Sequence, residues 1–471
     1  MLVLTLTGLL MEICLIGMIF LHDLRQHTIP FLGLYGLACL GYGITACWLL
    51  RGLHRSEPRP RGDPIALILG LAILFRVTLL FTTPPTLSDD VYRYIWDGRL
   101  TNAGGNPYAH AVESPLLDQF DSPQRALVNN SWMASPYLPA AQALFAAVYR
   151  LAPDSPLAFQ VAAVLFDLLT GWLVTDLLRR LGLPPARALI YLWNPLVIVE
   201  FAHGAHVDAL MICLMMTALW ALVASRSKLL SVVTLAAATL TKGLPALLLP
   251  VVMRRWGWRQ TIVYAGLIIA VCLPFALGAG WGLTGPLNGV GLFGALRIYA
   301  AHWNYNGGLY HWLEVGLSGY RTSGAVPPEV VGWGPIRAAK LTVAVILGLA
   351  LIAIWWKDRQ CNDLALLRLA VVPLAAYLLL TTTVHPWYVT LIIPLLPFLL
   401  PQKGEAGRTG RFLLPWLYFS VFVTLSYLTY LDPANLREYD LVRLVEYIPL
   451  YLLLVWSAWP ASGDVAGPGA N

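Results

Sequence analysis

Apolar runs of about 18 to 22 residues recur from one end of this chain to the other, separated by short polar or basic stretches. A run of that length, coiled as a helix, crosses a bilayer core of about 30 Å at 1.5 Å per residue. The candidate spans are 2–21, 30–50, 64–82, 156–178, 187–202, 209–224, 260–278, 336–356, 364–382, 386–401, 412–431 and 443–460. The pattern predicts an all-α polytopic membrane protein, a bundle of about 12–14 transmembrane helices with short interfacial helices outside the lipid. The first run has no Lys or Arg before it and no small-residue cleavage motif after it, so it reads as a retained helix.

Composition supports this class. The chain is 58% hydrophobic and 12% charged, against about 25% charged in ordinary soluble domains. Its mean hydropathy is +0.67. The positive charges fall in loops: Arg51, Arg55, Arg59 and Arg61; Arg179, Arg180 and Arg187; Arg226 and Lys228; Arg254, Arg255 and Arg259; Lys357 and Arg359; Lys403, Arg408 and Arg411. The positive-inside rule puts these loops in the cytoplasm and the long loops 83–155 and 279–335 on the outer side of the cytoplasmic membrane. These arginines account for the net charge of +6. With no soluble basic face in view, no nucleic-acid partner is expected. The six cysteines lie mostly inside apolar runs without CxxC spacing and read as packing residues.

Two spans contain breaks. Residues 229–253 have basic clusters on both flanks, yet about 25 residues cannot cross the membrane twice as full helices. Lys242, Gly243 and Pro245 interrupt the middle, so the stretch predicts two half-helices with Lys242 at their tip, pointing into a cavity. Asn194-Pro195 interrupts the span 187–202, and Glu200, His203, His206 and Asp208 crowd its outer end. In the first outer loop, VYRYIWDGRLTNA predicts a helix that stops at Gly104-Gly105. YLPAAQALFAAVYRL, from Tyr137, predicts a second helix lying along the interface.

The densest polar chemistry in the chain is LSDDVYRYIWDGRLTNAGGNPY, from Leu87 to Tyr108. Asp89, Arg93 and Asp97 share one helical face at i, i+4 and i+8, where they would form intrahelical ion pairs. Asp90 fits that account poorly, because it sits beside another acid. Paired carboxylates at a membrane surface suit a proton acceptor, a cation site or a sugar clamp. RIYAAHWNYNGGLYHW contributes Arg297, His302, Trp303, Asn304, Asn306 and His311, and TTTVHPWYVT contributes His385, Trp387 and Tyr388. Aromatic, amide, imidazole and carboxylate groups in such mixtures suit sugar binding. Spacing alone would let His203, His206 and Asp208 share a metal, but no second cluster of ligands completes a site. No metal or cofactor is expected.

Taken in order, SDDVYRYIWDGR, GGNPY, SPYLPAAQ, WNPLVIVEFAHGAHVD, the turn Thr241–Pro245, WNYNGGLY and HPWY resemble the GT-C glycosyltransferases that use polyprenyl-phosphate sugars. The likeness is closest to bacterial polyprenol-phosphate-mannose mannosyltransferases and runs from about Ile68 to Leu400. Two extra spans precede the acidic loop, and the acids are adjacent where some relatives space them as DxD. The resemblance implies a GT-C-like bundle and transfer of a sugar, most simply mannose, from a polyprenyl-phosphate donor to a glycan or lipid acceptor at the outer face. It maps the catalytic base onto Asp89 or Asp90 and implies inversion at the sugar carbon. Arg93, Asp97, His203, His206, Asp208, Lys242, Arg297, His302, Asn304, His385 and Tyr388 are then candidates for substrate binding. Phosphate is a good leaving group, so one base suffices, whereas positive charge is needed where the phosphate leaves. Lys242, Arg297, His385 and Arg93 are the candidates for that charge.

The expected organisation is 1–63 as two N-terminal helices and a basic loop, 64–401 as the catalytic module, and 402–471 as C-terminal helices and a tail. The rival reading is a transporter or flippase of a lipid-linked sugar, for which Arg76, Asp167 and Asp176 would be intramembrane polar residues. A non-catalytic assembly subunit would not need the crowded outer-face residues.

Overall fold

The computed structural model describes residues 1–54, 64–318, 333–357, 362–402 and 408–459. Arg55, Arg59, Arg61, Arg359 and Lys403, named above, lie outside the described residues, as do one of the six cysteines (Cys361), part of the loop 279–335 and the C-terminal tail.

A helical hairpin, α1 (Leu2–Ile19) and α2 (Thr28–His54), packs with α3 (Ile65–Leu79). The loop that follows holds α4 (Asp90–Asn102), two 3-10 turns at Pro115–Phe120 and Pro123–Leu127, and α5 (Pro139–Leu151). The two helices read from the sequence in this loop are both present, and α4 ends where Gly104 takes a φ of 83°. The long α6 (Pro156–Arg180) begins at Ser155, whose side chain caps the Ala158 amide.

Next comes a broken span: a 3-10 turn Pro185–Ala188, α7 (Leu189–Leu192), α8 (Pro195–Ile198) and a π-helical turn Val199–His203. Then follow α9 (Asp208–Val223), α10 (Lys228–Thr241), a 3-10 turn Leu244–Leu248, α11 (Leu249–Trp256), α12 (Trp258–Ala279), α13 (Gly294–His302) and α14 (Leu309–Ser318). The remainder is α15 (Trp333–Lys357), α16 (Asp363–Leu380), α17 (Pro386–Val389) running into a 3-10 stretch Ile393–Leu399, α18 (Arg408–Arg411), α19 (Leu413–Phe422) running into Val423–Leu431, and α20 (Asp440–Ala458). Among the described residues the extended pairing is limited to isolated bridges from Tyr305 and Asn306 to Thr383.

Among the described residues, eight helical segments are long and apolar enough to cross a membrane. The interruption read at Asn194-Pro195 in 187–202 is present, and 386–401, drawn as a single span, is broken as well; nearly every residue in both is buried. The cause is Pro195 in the first and Pro386, Pro394 and Pro397 in the second, each of which removes a backbone donor. Backbone of this kind survives at membrane depth only inside protein. The long helices form that wall, with side chains such as Ile13, Leu165 and Ile352 exposed on their outer faces.

The polar residues inside the bundle are fasteners. Arg76, fully buried, donates to Asp167 at 2.5 Å and to the carbonyls of Ala72 and Leu192. Asp167 also accepts from Tyr191 at 2.6 Å. Asp176 accepts from Arg180 and Trp220. These contacts join α6 to α3, to the broken span and to the helix that carries Trp220.

α10 sets the polarity of the bundle. Its N-terminal end lies among the basic loops, where Asp363 accepts from Arg226 at 2.8 Å and from Arg255 at 2.6 Å. Its 14 residues rise about 21 Å to Lys242, where the chain turns and α11 returns. The half-helix geometry expected for 229–253 is present. Lys242 sits at the end of the bundle that carries the acidic loop.

Candidate active site

α4 is positioned by contact with α5. A Cβ on Gly98 would lie 2.4 Å from the Phe145 carbonyl oxygen, so the two helices cross at backbone contact. Tyr94 stacks on Phe145 at 4.5 Å, and Tyr137 meets both rings edge-on. The charged face of α4 does not form the intrahelical ion pairs read from the sequence. Arg93 donates instead to the carbonyls of Asn129, Asn130 and Met133. Asp97 accepts from Ser135 at 2.5 Å and Gln142 at 2.9 Å. The reason is tertiary: both side chains are buried against the strap 129–142, whose buried polar groups need partners.

This strap also holds Asp90. The Asn129 amide donates to Asp90 Oδ1 at 3.0 Å, and Arg93 grips the Asn129 carbonyl. Burial pushes the Asp90 carboxyl above its ordinary value, with the Asn129 hydrogen bond and the Lys242 charge pulling the other way. Its second oxygen faces His206 Nδ1 at 3.7 Å. Asp89, next in the chain, turns away. It pairs with Arg25 at 2.9 Å and is 40% exposed. The two acids therefore occupy different environments.

His206 lies between two carboxylates, its Nε2 3.3 Å from Glu200 Oε2, with neither nitrogen aligned for a hydrogen bond among the described residues. Burial holds its imidazole well below the usual histidine value, hence neutral. Glu200 accepts from the Tyr427 hydroxyl at 2.9 Å. Gly204 gives this turn its room: a Cβ there would come 2.6 Å from the Glu200 carbonyl oxygen. A column of rings continues from His206 to Trp387 (4.0 Å), to His385 (4.4 Å) and to Tyr305 (4.6 Å). Burial and the nearby Lys242 charge lower the His385 value to about 3, so it too is neutral.

Lys242 straddles Asp208, with Nζ at 3.0 and 2.9 Å from its two oxygens, and lies 4.5 Å above the centre of the Tyr388 ring. Asp90, His206, Asp208, Lys242, His385 and Tyr388 are thus brought into one cluster. His203 stands behind it as a brace: it bonds Thr82 at 2.8 Å and accepts from the Thr86 amide at 3.1 Å. The metal-like spacing of His203, His206 and Asp208 ends on three separate sets of partners. No convergence of three His, Cys, Asp or Glu side chains occurs among the described residues.

The other candidates go elsewhere. Arg297 donates to the carbonyls of Gly282 and Gly285 and organises its own loop. Asn304 reaches Tyr310 and Glu314 at 3.3 and 3.4 Å. His302 lies at the end of α13, where Lys340 donates to the carbonyls of Ala300 and Ala301.

The structure adds partners that the sequence reading missed, Glu438, Glu446 and Tyr447 around the Asn306 of the WNYNGG motif. Asn306 (φ 48°) is gripped by Glu438 through its amide, by Glu446 at 2.6 Å and by the Tyr447 hydroxyl at 2.6 Å, which fixes Tyr305 in the ring column. Asn129 and Arg25 were also missed. The WNYNGG motif marked Asn306, whereas nothing local marked the partners of Asp89 and Asp90.

Comparison with known proteins assigns this architecture to the membrane glycosyltransferases. The chain belongs to the alpha-(1->6)-mannopyranosyltransferase family, matching the model of that family's N-terminal domain over residues 16–258. Alpha-(1->6)-mannopyranosyltransferase A of Corynebacterium glutamicum is 24% identical over 438 residues, covering 84% of this chain and 81% of the relative. Alpha-(1->6)-mannopyranosyltransferase A of Mycobacterium tuberculosis is 27% identical over 335 residues, 66% of this chain and 61% of that one. A solved structure, ArnT from Cupriavidus metallidurans bound to undecaprenyl phosphate, overlaps 83% of this chain and 76% of its own, with 14% identity and a TM-score of 0.40. That likeness is too distant to carry weight here.

Proposed function

We propose that the chain transfers mannose from a polyprenyl-phosphate donor to a hydroxyl of a glycan or lipid acceptor, at the outer face of the cytoplasmic membrane, with Asp90 as general base. The reading rests on Asp90: a buried carboxylate with a raised pKa and no cation in direct contact, facing a neutral imidazole. Such a group accepts a proton near neutral pH better than an ordinary exposed carboxylate. Asp89 is paired with Arg25 and does not face the His206 side of the cluster.

In the reaction the acceptor oxygen attacks the anomeric carbon and its proton passes to Asp90. The bond from that carbon to the phosphate oxygen breaks, and its electron pair leaves with the polyprenyl phosphate. Attack opposite the leaving group inverts the anomeric centre. Charge grows on the departing phosphate, and Lys242 supplies positive potential on that side. The aromatic wall of Trp387 and Tyr388 suits contact with a pyranose along the ring edges, while Asp208 and Asn129 offer groups for its hydroxyls. Family membership supports mannose as the sugar and a glycan as the acceptor. Sidedness is supported by the gathering of the basic loops at the opposite end of the bundle.

The test uses the purified full chain with radiolabelled polyprenyl-phosphate mannose and a membrane extract. Wild type and Asp89→Asn transfer label to a new product, and Asp90→Asn loses at least about a hundredfold in rate. Full transfer by Asp90→Asn removes the assignment of the base.

A further inference from the structure

An anionic donor requires an accessible cation with spare hydrogen-bond donors, and most cations near the acidic loop are already tied to several protein acceptors. Arg93 is committed to three backbone carbonyls and Arg297 to two. Both Asp208 oxygens are already bonded to Lys242. His385 and His206 are neutral.

Arg25 is the exception. It comes from the loop between α1 and α2, far from the acidic motif in sequence, and its backbone is locked in two ways. Asp23 accepts from the Arg25 and Gln26 amides at 2.9 and 3.0 Å, and the Leu24 amide donates to Thr86 in the acidic loop at 3.0 Å. The guanidinium lies 4.8 Å above the Tyr430 ring and donates to Asp89 through Nη2. A guanidinium carries five N–H donors. Among the described residues that bond to Asp89 is the one side-chain hydrogen bond it makes, and its Nε, shielded from solvent, has no partner. The side chain is 31% exposed, so a ligand can reach it. Tyr430, beneath it, bonds the Leu87 carbonyl and stacks on Tyr427, which in turn bonds Glu200 beside His206. The cation is thereby built into the same aromatic wall as the cluster around Asp90.

We infer that Arg25 binds the phosphate of a prenyl-linked phosphate ligand, with Asp89 holding the guanidinium in place until the ligand arrives. This deepens the proposed function and rests on its polyprenyl-phosphate donor. A planar fork with unpaired donors matches phosphate oxygens in two-point contact, which a lysine cannot reproduce. The contact strengthens as the phosphate gains charge on leaving, so Arg25 acts on the leaving group while Asp90 acts on the nucleophile.

Binding separates this inference from the reaction itself. Farnesyl phosphate and undecaprenyl phosphate are titrated into the detergent-purified full chain, with farnesol as the uncharged control, and tryptophan fluorescence is read. Arg25→Ala is expected to weaken both phosphates by about ten- to a hundredfold and leave farnesol unchanged. Arg25→Lys, which keeps the charge and guards against misfolding as the cause, falls between. Asp89→Asn frees the guanidinium and binds the phosphates at least as tightly as wild type. Equal affinity of wild type and Arg25→Ala overturns the inference alone. So does an equal loss for farnesol, or a loss in Asp89→Asn as large as in Arg25→Ala, which would make Arg25 only a prop for Asp89. A wild type that binds neither phosphate overturns the donor assignment and this inference with it.

Discussion

Replacing Lys242 with Met leaves the Asp208 carboxylate, 2% exposed, without either of its ammonium contacts. Removing one partner of a fully buried ion pair costs about 3 to 5 kcal/mol, because the remaining charge is stranded. Lys242 is 22% exposed, so water can follow into its place, and the expected cost falls to about 2 to 3 kcal/mol. The lost position above the Tyr388 ring adds up to about 1 kcal/mol. Asp208→Asn should strand the ammonium less severely, since the lysine reaches solvent. The double variant Lys242→Met/Asp208→Asn has no stranded charge and should return to within about 1 kcal/mol of wild type. The assay is thermal melting of the detergent-purified chain at one fixed scan rate, read beside transfer activity. Lys242→Met should melt several degrees below wild type, with the double variant recovering most of the loss. The double variant should nevertheless transfer sugar at least about tenfold more slowly, because the positive charge beside the leaving group is gone. If the single variant melts with wild type, or the double variant melts no higher than the single, the pair does not hold the half-helix tip and the reasoning fails.

Two other measurements probe α4. The raised Asp90 pKa means that the folded state favours its protonated form, so the ionised carboxylate is a stability cost that appears as pH rises through the folded value. Asp90→Asn should therefore melt no lower than wild type at pH 7 while losing transfer, and wild-type kcat/KM should fall on the acid side at a pH above the ordinary carboxylate value of about 3.9. An acid limb at or below that value would contradict the burial argument. Gly98→Ala places a methyl 2.4 Å from the Phe145 carbonyl oxygen and should cost about 1 to 3 kcal/mol, together with transfer activity, as α4 is pushed off α5. Gly70→Ala in α3, where nothing lies within 4 Å, serves as the helical control and should be neutral or slightly stabilising by the same melting assay.

The parts of this protein that could be read from sequence are those set by local chemistry or by the bilayer. Basic flanks on 229–253 and the Lys242-Gly243-Pro245 break forced a half-helix pair. Gly104-Gly105 ended α4, and the apolar face of 139–151 gave α5. The Asn194-Pro195 break in 187–202 was legible too, whereas that in 386–401 was not singled out, because periodicity cannot tell a lipid-facing helix from a broken segment sealed inside the bundle. The charged face of α4 was misread for a related reason. An i, i+4 pair contributes only about 0.3 to 0.5 kcal/mol, less than it costs to leave the buried carbonyls of 129–133 unpaired, so tertiary partners captured Arg93 and Asp97. Arg25 and Asn129 carry no local signal at all, since their meaning comes from Asp89 and Asp90, 64 and 39 positions away.

That loss of local signal bears on why the acidic pair is a pair. Adjacent carboxylates on one helix N-terminus repel, and a site needing one base would ordinarily not keep two. Here the turn at the start of α4 points them in opposite directions, one toward Asn129 and His206 and the other toward Arg25. Each is read by its surroundings: burial raises the Asp90 value, and the Arg25 guanidinium takes up Asp89 as a hydrogen-bond partner. If Asp89 holds the cation that receives the phosphate, the two acids work on opposite ends of the bond being exchanged. Swapping Arg25 for a neutral residue should then affect donor KM far more than acceptor KM, whereas Asp90→Asn should lower kcat with little change in either.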